Sequence, residues 1–221
     1  MEITRTDALG LLTWSEEILR RELGLKPADA SAKDGEVTGA GRIDEELLSE
    51  QLGAFATLKT RQPAEGEALR GCIGRFAGSG PLRGVIPQVV KDAALHDTRF
   101  APVQARELDG IRVELSVLSE AWDLNSAEQI VLGSHGIILS ARGRRSVFLP
   151  EVATEQGWDV EMTLQMLGRK SGAGLEAWRE PGARISVFRA WKIRWIDERC
   201  VIPANPEEDP IDEAHIDLRL L

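Results

Sequence analysis

Ala54-Phe55-Ala56-Thr57-Leu58-Lys59 and Leu69-Arg70-Gly71-Cys72-Ile73-Gly74 are the two stretches whose reading decides the fold. The first alternates in the manner of a strand. Residues 62–67 carry Pro63 and Gly66, a turn composition, and residues 69–73 then return as a second strand, so the pair reads as an antiparallel hairpin. Working outward, residues 111–118 set Ile111, Val113, Leu115 and Val117 against Arg112, Glu114, Ser116 and Leu118, a half-buried strand. Residues 136–140 and 146–149 flank Arg142-Gly143-Arg144 as another hairpin, and residues 185–188 and 191–196 add strands. Between them lie helical patterns. Residues 6–23 place Leu9, Leu12, Glu16 and Leu19 near one stripe, with Thr6 as cap, Asp7 at the positive end of the dipole and Gly24 closing the helix. Residues 44–51 predict a short helix, as do 126–131 and 160–167, and residues 26–42 a long polar loop. Pro81 opens a helix to about His96 that buries Leu82, Val85, Ile86, Val89, Val90, Ala93 and Ala94, with Pro87 placed to kink or divide it. Hairpins outnumber any βαβ pattern and no internal repeat is visible. The expected class is α+β, a mainly antiparallel sheet flanked by helices.

Composition narrows the function. The chain has 221 residues, 43% hydrophobic and 29% charged, enough for a substantial core. Its net charge of -9 runs against the basic surplus of a nucleic-acid binder. Part of the acidity is local: Glu207, Glu208, Asp209, Asp212, Glu213 and Asp217 face Arg219 alone in an acidic C-terminal arm, residues 201–221, expected to be extended or mobile. The apolar Ile216, Leu218, Leu220 and Leu221 at its end could dock on the body or on a second subunit, which leaves a homo-oligomer open. Arg142, Arg144 and Arg145 read as a solvated turn. No apolar run approaches the roughly 20 residues of a membrane span, and no basic-then-apolar leader opens the chain. Cys72 and Cys200, far apart, make no disulfide framework. The expected setting is the cytoplasm, with its thiols reduced.

Cys72 is the first candidate for chemistry. It sits between two glycines and beyond Arg70, so it can be a nucleophile activated by that guanidinium or by a histidine, or a small buried hydrophobe. His135, before Gly136 at the start of a strand, is the candidate base. His96 fits a helix C-terminus, and His215 receives no role. The dispersed His and Cys residues have no metal-ligand spacing, so no metal site is expected. Asp97 and Arg99, in Asp97-Thr98-Arg99-Phe100-Ala101-Pro102, either brace a turn or present Arg99 to an anion. Gly71, Gly74, Gly78 and Gly80 do not match a phosphate loop, though they could form an anion-binding nest of amides. Lys170, in Lys170-Ser171-Gly172, can reach a carboxylate or phosphate, or simply belong to a helix C-terminus.

Taken in order, these runs resemble the AMMECR domain family, whose microbial members are called AmmeMemoRadiSam system protein A. The resemblance rests on Phe55-Ala56-Thr57-Leu58, Leu69-Arg70-Gly71-Cys72-Ile73-Gly74, Asp97-Thr98-Arg99-Phe100-Ala101-Pro102, Glu114-Leu115-Ser116-Val117-Leu118-Ser119, His135-Gly136, Phe148-Leu149-Pro150-Glu151-Val152-Ala153, Gly157-Trp158-Asp159 and Lys170-Ser171-Gly172. Glu151 stands where the family often has Gln, Ser171 where it often has Ala, and the family's Cys near Gly168 is missing. The resemblance implies an α+β domain over residues 1–200, with a larger sheet part and a smaller subdomain, the hexapeptide lying near the cleft between them. It implies Memo-like and radical SAM proteins as partners and assigns no cofactor. The function expected is an enzyme acting on a small or modified substrate, with Cys72 and His135 catalytic and Arg70, Gly71, Gly74, Asp97, Arg99, Glu151 and Lys170 binding the substrate. The alternatives are a non-catalytic adaptor for those partners and an RNA- or nucleotide-binding protein, the latter disfavoured by charge.

Overall fold

A computed structural model describes residues 3–26, 43–62, 66–196, 199–202 and 214–217. In chain order the elements are α1 (Arg5–Glu22), α2 (Glu45–Ser49), β1 (Gly53–Gln62), β2 (Gly66–Arg75), α3 (Leu82–Leu95), β3 (Ile111–Leu118), β4 (Trp122–Leu124), β5 (Gly136–Ala141), β6 (Arg144–Phe148), α4 (Pro150–Gln156), α5 (Val160–Ser171), β7 (Arg184–Phe188), β8 (Ala190–Ile196), β9 (Arg199–Ile202) and β10 (Ala214–Asp217). Short 3-10 turns at Ala105–Gly110, Ala127–Gln129 and Ala177–Arg179 connect some of them. The strands form two sheets, a six-stranded one ordered β10-β9-β8-β3-β1-β2 and a four-stranded one ordered β4-β7-β5-β6. The pairs β1–β2, β8–β9, β9–β10, β4–β7, β5–β7 and β5–β6 are all antiparallel. The fold is α+β.

The described residues fall into two compact units, those up to 117 with 191–196, 199–202 and 214–217 in one and 118–190 in the other. In the first unit, one face of the six-stranded sheet carries Ala54, Ala56, Leu58, Val113, Leu115, Val117 and Ile193 into a core shared with α1, α2 and α3. Leu11, Leu12, Leu19, Leu58, Leu82 and Ile86 are fully enclosed there. Burying each such side chain is worth about 1.5–3 kcal/mol. The second unit packs α5 against β6 and β5, with Ile137, Leu139, Leu164, Leu167 and Val187 at its centre.

Local chemistry explains most boundaries. Thr4, not Thr6, caps α1: its hydroxyl accepts from the Asp7 amide while Asp7 accepts from the Thr4 amide in return, a closed capping box. Asp7 also accepts from the Asp44 amide at 2.8 Å, which ties the start of α1 to the start of α2. Pro87 leaves α3 continuous because it removes the amide partner of Arg83 alone, and Arg83 is exposed. Within residues 126–131 only a 3-10 turn forms, Ala127–Gln129 capped by Ser126, in place of the expected helix. The Pro150 helix α4 and the strand β4 were not legible, being short and without clear periodicity. The expected loop at 26–42 lies almost wholly outside the described residues. So do residues 203–213 and 218–221 of the acidic arm; its residues 214–217 pair with β9 as β10.

Candidate functional site

The β1–β2 register places the Cys72 segment. Thr57 lies opposite Cys72 and Leu58 opposite Gly71, but Lys59 lies opposite Leu69. Arg70 is therefore the extra residue of a β-bulge, a device that re-aims a side chain at the cost of one pairing. On the core side of this hairpin, a Cβ at Gly71 would come within 2.1 Å of the Ala93 carbonyl oxygen on α3. Gly74 lies under the Phe55 ring, where a Cβ would sit 2.2 Å from the ring carbons. Neither glycine has a positive φ. Both glycines serve close packing, not an amide nest. Because side chains alternate along a strand, Thr57, Lys59 and Cys72 project to the face opposite α3.

Cys72 is also where the sheet ends, since β2 is an edge strand. The Cys72 amide donates to Asp97 Oδ2 at 2.8 Å, and Arg99 Nη2 donates to the Cys72 carbonyl at 3.1 Å. Asp97 in turn accepts from Arg99 Nε at 2.9 Å, Nη2 at 2.7 Å and the Arg99 amide at 3.2 Å. The Asp-x-Arg run thus substitutes for a seventh strand at one residue, satisfying both outward main-chain groups of an exposed edge. Of the two readings open in the sequence, Arg99 is engaged within the fold; its guanidinium also lies 5.5 Å from the Phe100 ring. The Arg99 guanidinium first, and then the two amides, hold the buried Asp97 carboxyl far below the usual carboxylate range, against the opposing pull of burial.

With both main-chain groups facing outward, Cys72 and Thr57 form a non-hydrogen-bonded pair, the closer type of antiparallel pairing. Cys72 Sγ lies 3.3 Å from Thr57 Oγ1, and the half-buried cysteine is a free thiol. On the same face Lys59 donates to Glu114 Oε1 on β3 at 2.8 Å and to Glu67 Oε2 at 3.2 Å. Burial alone would lower the Lys59 ammonium; its hydrogen bonds and attraction to Glu114 and Glu67 prevail and raise it. Lys59 is therefore a fixed positive charge and not a base. Arg70 directs its fork at Glu107, Nε to Oε2 at 2.9 Å and Nη2 to Oε1 at 3.2 Å. That guanidinium, ahead of the Gln104 amide, lowers the Glu107 carboxyl despite partial burial.

The remaining candidates belong to the second unit. His135 is buried, accepts at Nδ1 from the Val131 amide at 3.1 Å, and meets Trp122 edge to face at 5.6 Å. An Nδ1 that accepts puts the proton of the neutral ring on Nε2, so His135 offers a donor where a general base needs a lone pair. Glu151 is half-buried in the first turn of α4. Lys170 donates to the Val147 carbonyl at 2.8 Å and lies 4.8 Å from the centre of the Phe148 ring, with burial lowering its ammonium. Arg70, Gly71, Cys72, Gly74, Asp97 and Arg99 are thus gathered in one unit, and His135, Glu151 and Lys170 in the other. Among the described residues no three His, Cys, Asp or Glu side chains cluster as a metal site would require, and no helix is long and apolar enough to cross a membrane.

Sequence reasoning passed over Thr57, Lys59, Glu107 and Glu114 as site residues. The available signal was strand phase: Thr57 and Lys59 share the polar phase of β1, and Glu114 is a charge between Val113 and Leu115. Their pairing across 55 positions has no local signature.

The AMMECR1 family model matches residues 26–193. Protein MJ0810 of Methanocaldococcus jannaschii is 36% identical over 160 residues, spanning 70% of this chain and 78% of that one. Protein NEQ441 of Nanoarchaeum equitans is 34% identical over 149 residues, spanning 65% of this chain and 81% of that one. The crystal structure of the uncharacterized protein PH0010 from Pyrococcus horikoshii superposes with a TM-score of 0.69 at 25% identity, covering 98% of this chain and all 100% of that one.

Proposed function

The chain belongs to the AMMECR1 family, and from that premise we propose that it is an enzyme acting on a small or modified substrate at the polar sheet face around Cys72. One observation carries this reading. The main chain of Cys72 is held at both its amide and its carbonyl, while its sulfur stays half-buried on a face with the Thr57 hydroxyl and the Lys59–Glu114 pair. Such a thiol is fixed in direction without being fully enclosed, as a nucleophile has to be. In this reading the thiol proton leaves to solvent, Lys59 holds a negatively polarised part of the substrate, and the cytoplasm keeps the sulfur reduced.

The test uses protein carrying Cys200→Ser, so that iodoacetamide reports on Cys72 alone. Native Cys72 is expected to alkylate at a rate that rises with pH, and a strain whose sole copy is Cys72→Ser is expected to behave as the deletion. A thiol that resists iodoacetamide until the chain is unfolded, together with a Cys72→Ser strain that behaves as wild type, removes the enzymatic reading.

A second reading, a non-catalytic adaptor for a Memo-like or radical SAM protein of an AmmeMemoRadiSam system, is favoured by Leu69. This apolar side chain is 44% exposed on the Lys59 face of the hairpin. Co-purification with either protein that is lost in Leu69→Glu and kept in Cys72→Ser would select it.

A further inference from the structure

On another part of the first unit, α1, the 3-10 turn Ala105–Gly110 and β3 line an open-sided cavity of about 170 Å³. That is room for several ordered waters or for a small organic acid. Leu19 and Leu108 supply an apolar wall, and Glu16, Arg20, Arg112 and Asp109 supply the polar part. Arg20 and Arg112 share the cavity wall with Glu16 and both act electrostatically on its carboxyl. The indole of Trp195 lies beside Glu16, and its buried N–H makes no well-formed hydrogen bond. Burial pushes the Glu16 carboxyl up, against the opposing effects of Arg112, Trp195 and Arg20.

We infer that this cavity is a binding site for a small aliphatic carboxylate, held by the Arg20 and Arg112 guanidiniums with its hydrocarbon end against Leu19 and Leu108. The chemistry is that of a planar fork meeting a planar anion beside an apolar wall. The site is independent of Cys72 and does not rest on the enzymatic reading.

The protein's own tryptophans provide the assay. Six indole N–H signals are expected from its six Trp residues, and Trp195→Phe identifies one of them. Sodium butyrate is added to the full chain at constant ionic strength, with sodium chloride and butylamine hydrochloride as parallel titrations. The expected result is a saturable shift of the Trp195 signal with butyrate and none with the other two. Arg112→Gln and Arg20→Gln should each weaken that binding about tenfold or more, the usual worth of a charge-assisted contact, while leaving the rest of the spectrum in place. Two independent Arg variants keep the test decisive if one of them fails to fold. No saturable shift with butyrate, equal binding in both variants, or a shift with butylamine instead overturns the proposal.

Discussion

Replacing Asp97 by Ala tests how the Cys72 segment is held. The carboxylate accepts four hydrogen bonds, one from the Cys72 amide and three from Arg99. Their weights differ. The Arg99 side chain is 55% exposed, so its pairing with Asp97 is screened and worth about 0.2–1 kcal/mol. The Cys72 amide points outward from an edge strand, and leaving it without an acceptor costs about 1–3 kcal/mol. Arg99, once released, also loosens its hold on the Cys72 carbonyl, a contact of about 0.5–1.5 kcal/mol. Asp97→Ala should therefore lose about 2–5 kcal/mol near neutral pH, measured by urea unfolding, and the Cys72 amide should be among the resonances whose hydrogen exchange speeds up most. The pH dependence has a definite sign. The folded carboxyl is held far below its ordinary value of 3.8, so its contribution is complete above that value and lost as pH falls below it. The gap between wild type and Asp97→Ala should be constant from pH 7 to pH 5 and shrink on acidification below about pH 4. A variant within about 0.5 kcal/mol of wild type, the scatter of ordinary surface changes, with unchanged protection of the Cys72 amide, refutes the edge-clamp argument. So does a gap that widens in acid.

Three further outcomes follow from the same geometry. Gly71→Ala puts a methyl against the Ala93 carbonyl, a main-chain atom that cannot rotate away, and should cost about 3 kcal/mol in chemical denaturation. Lys59→Met leaves the buried Glu114 without its closest cation and should cost about 2–4 kcal/mol, while Lys59→Met with Glu114→Leu should recover most of that loss in a double-mutant cycle. Glu16→Gln should stabilise the chain, and by more as pH rises. The folded carboxyl is raised above 4.5, so wild type loses stability as pH climbs from 4.5 through the folded value, and the Gln variant does not; thermal melts at pH 5 and pH 8 separate the two.

Much of the scaffold was legible because its signals are local. The bounds read for residues 111–118 are those of β3 to the residue, but the strand is buried on both faces and not half-buried: Glu114, Ser116 and Leu118 are covered as well as Ile111, Val113, Leu115 and Val117. The apolar side read for residues 81–96 is the buried side of α3. Short elements escaped, since three residues of β4 or seven of α4 carry too few turns of any period to stand out. At the site, the residue types of the Cys72 hexapeptide and of the Asp97–Arg99 run were visible, and their connection was not: Asp97 and the Cys72 amide are separated by 25 positions.

By itself the chain's order of residues settled the α+β class, the β1–β2 hairpin and kinship with the AMMECR family, because periodicity and short motifs are properties of neighbours along the backbone. Only the tertiary structure decided what each candidate does with its hydrogen bonds. It turned Arg70 towards Glu107 through a one-residue bulge, set Asp97 and Arg99 on the main chain of Cys72, joined Lys59 to Glu114, and used the Nδ1 lone pair of His135 on Val131. Those choices depend on strand register and edge position, which arise from long-range pairing and burial and leave no mark in any local stretch of sequence.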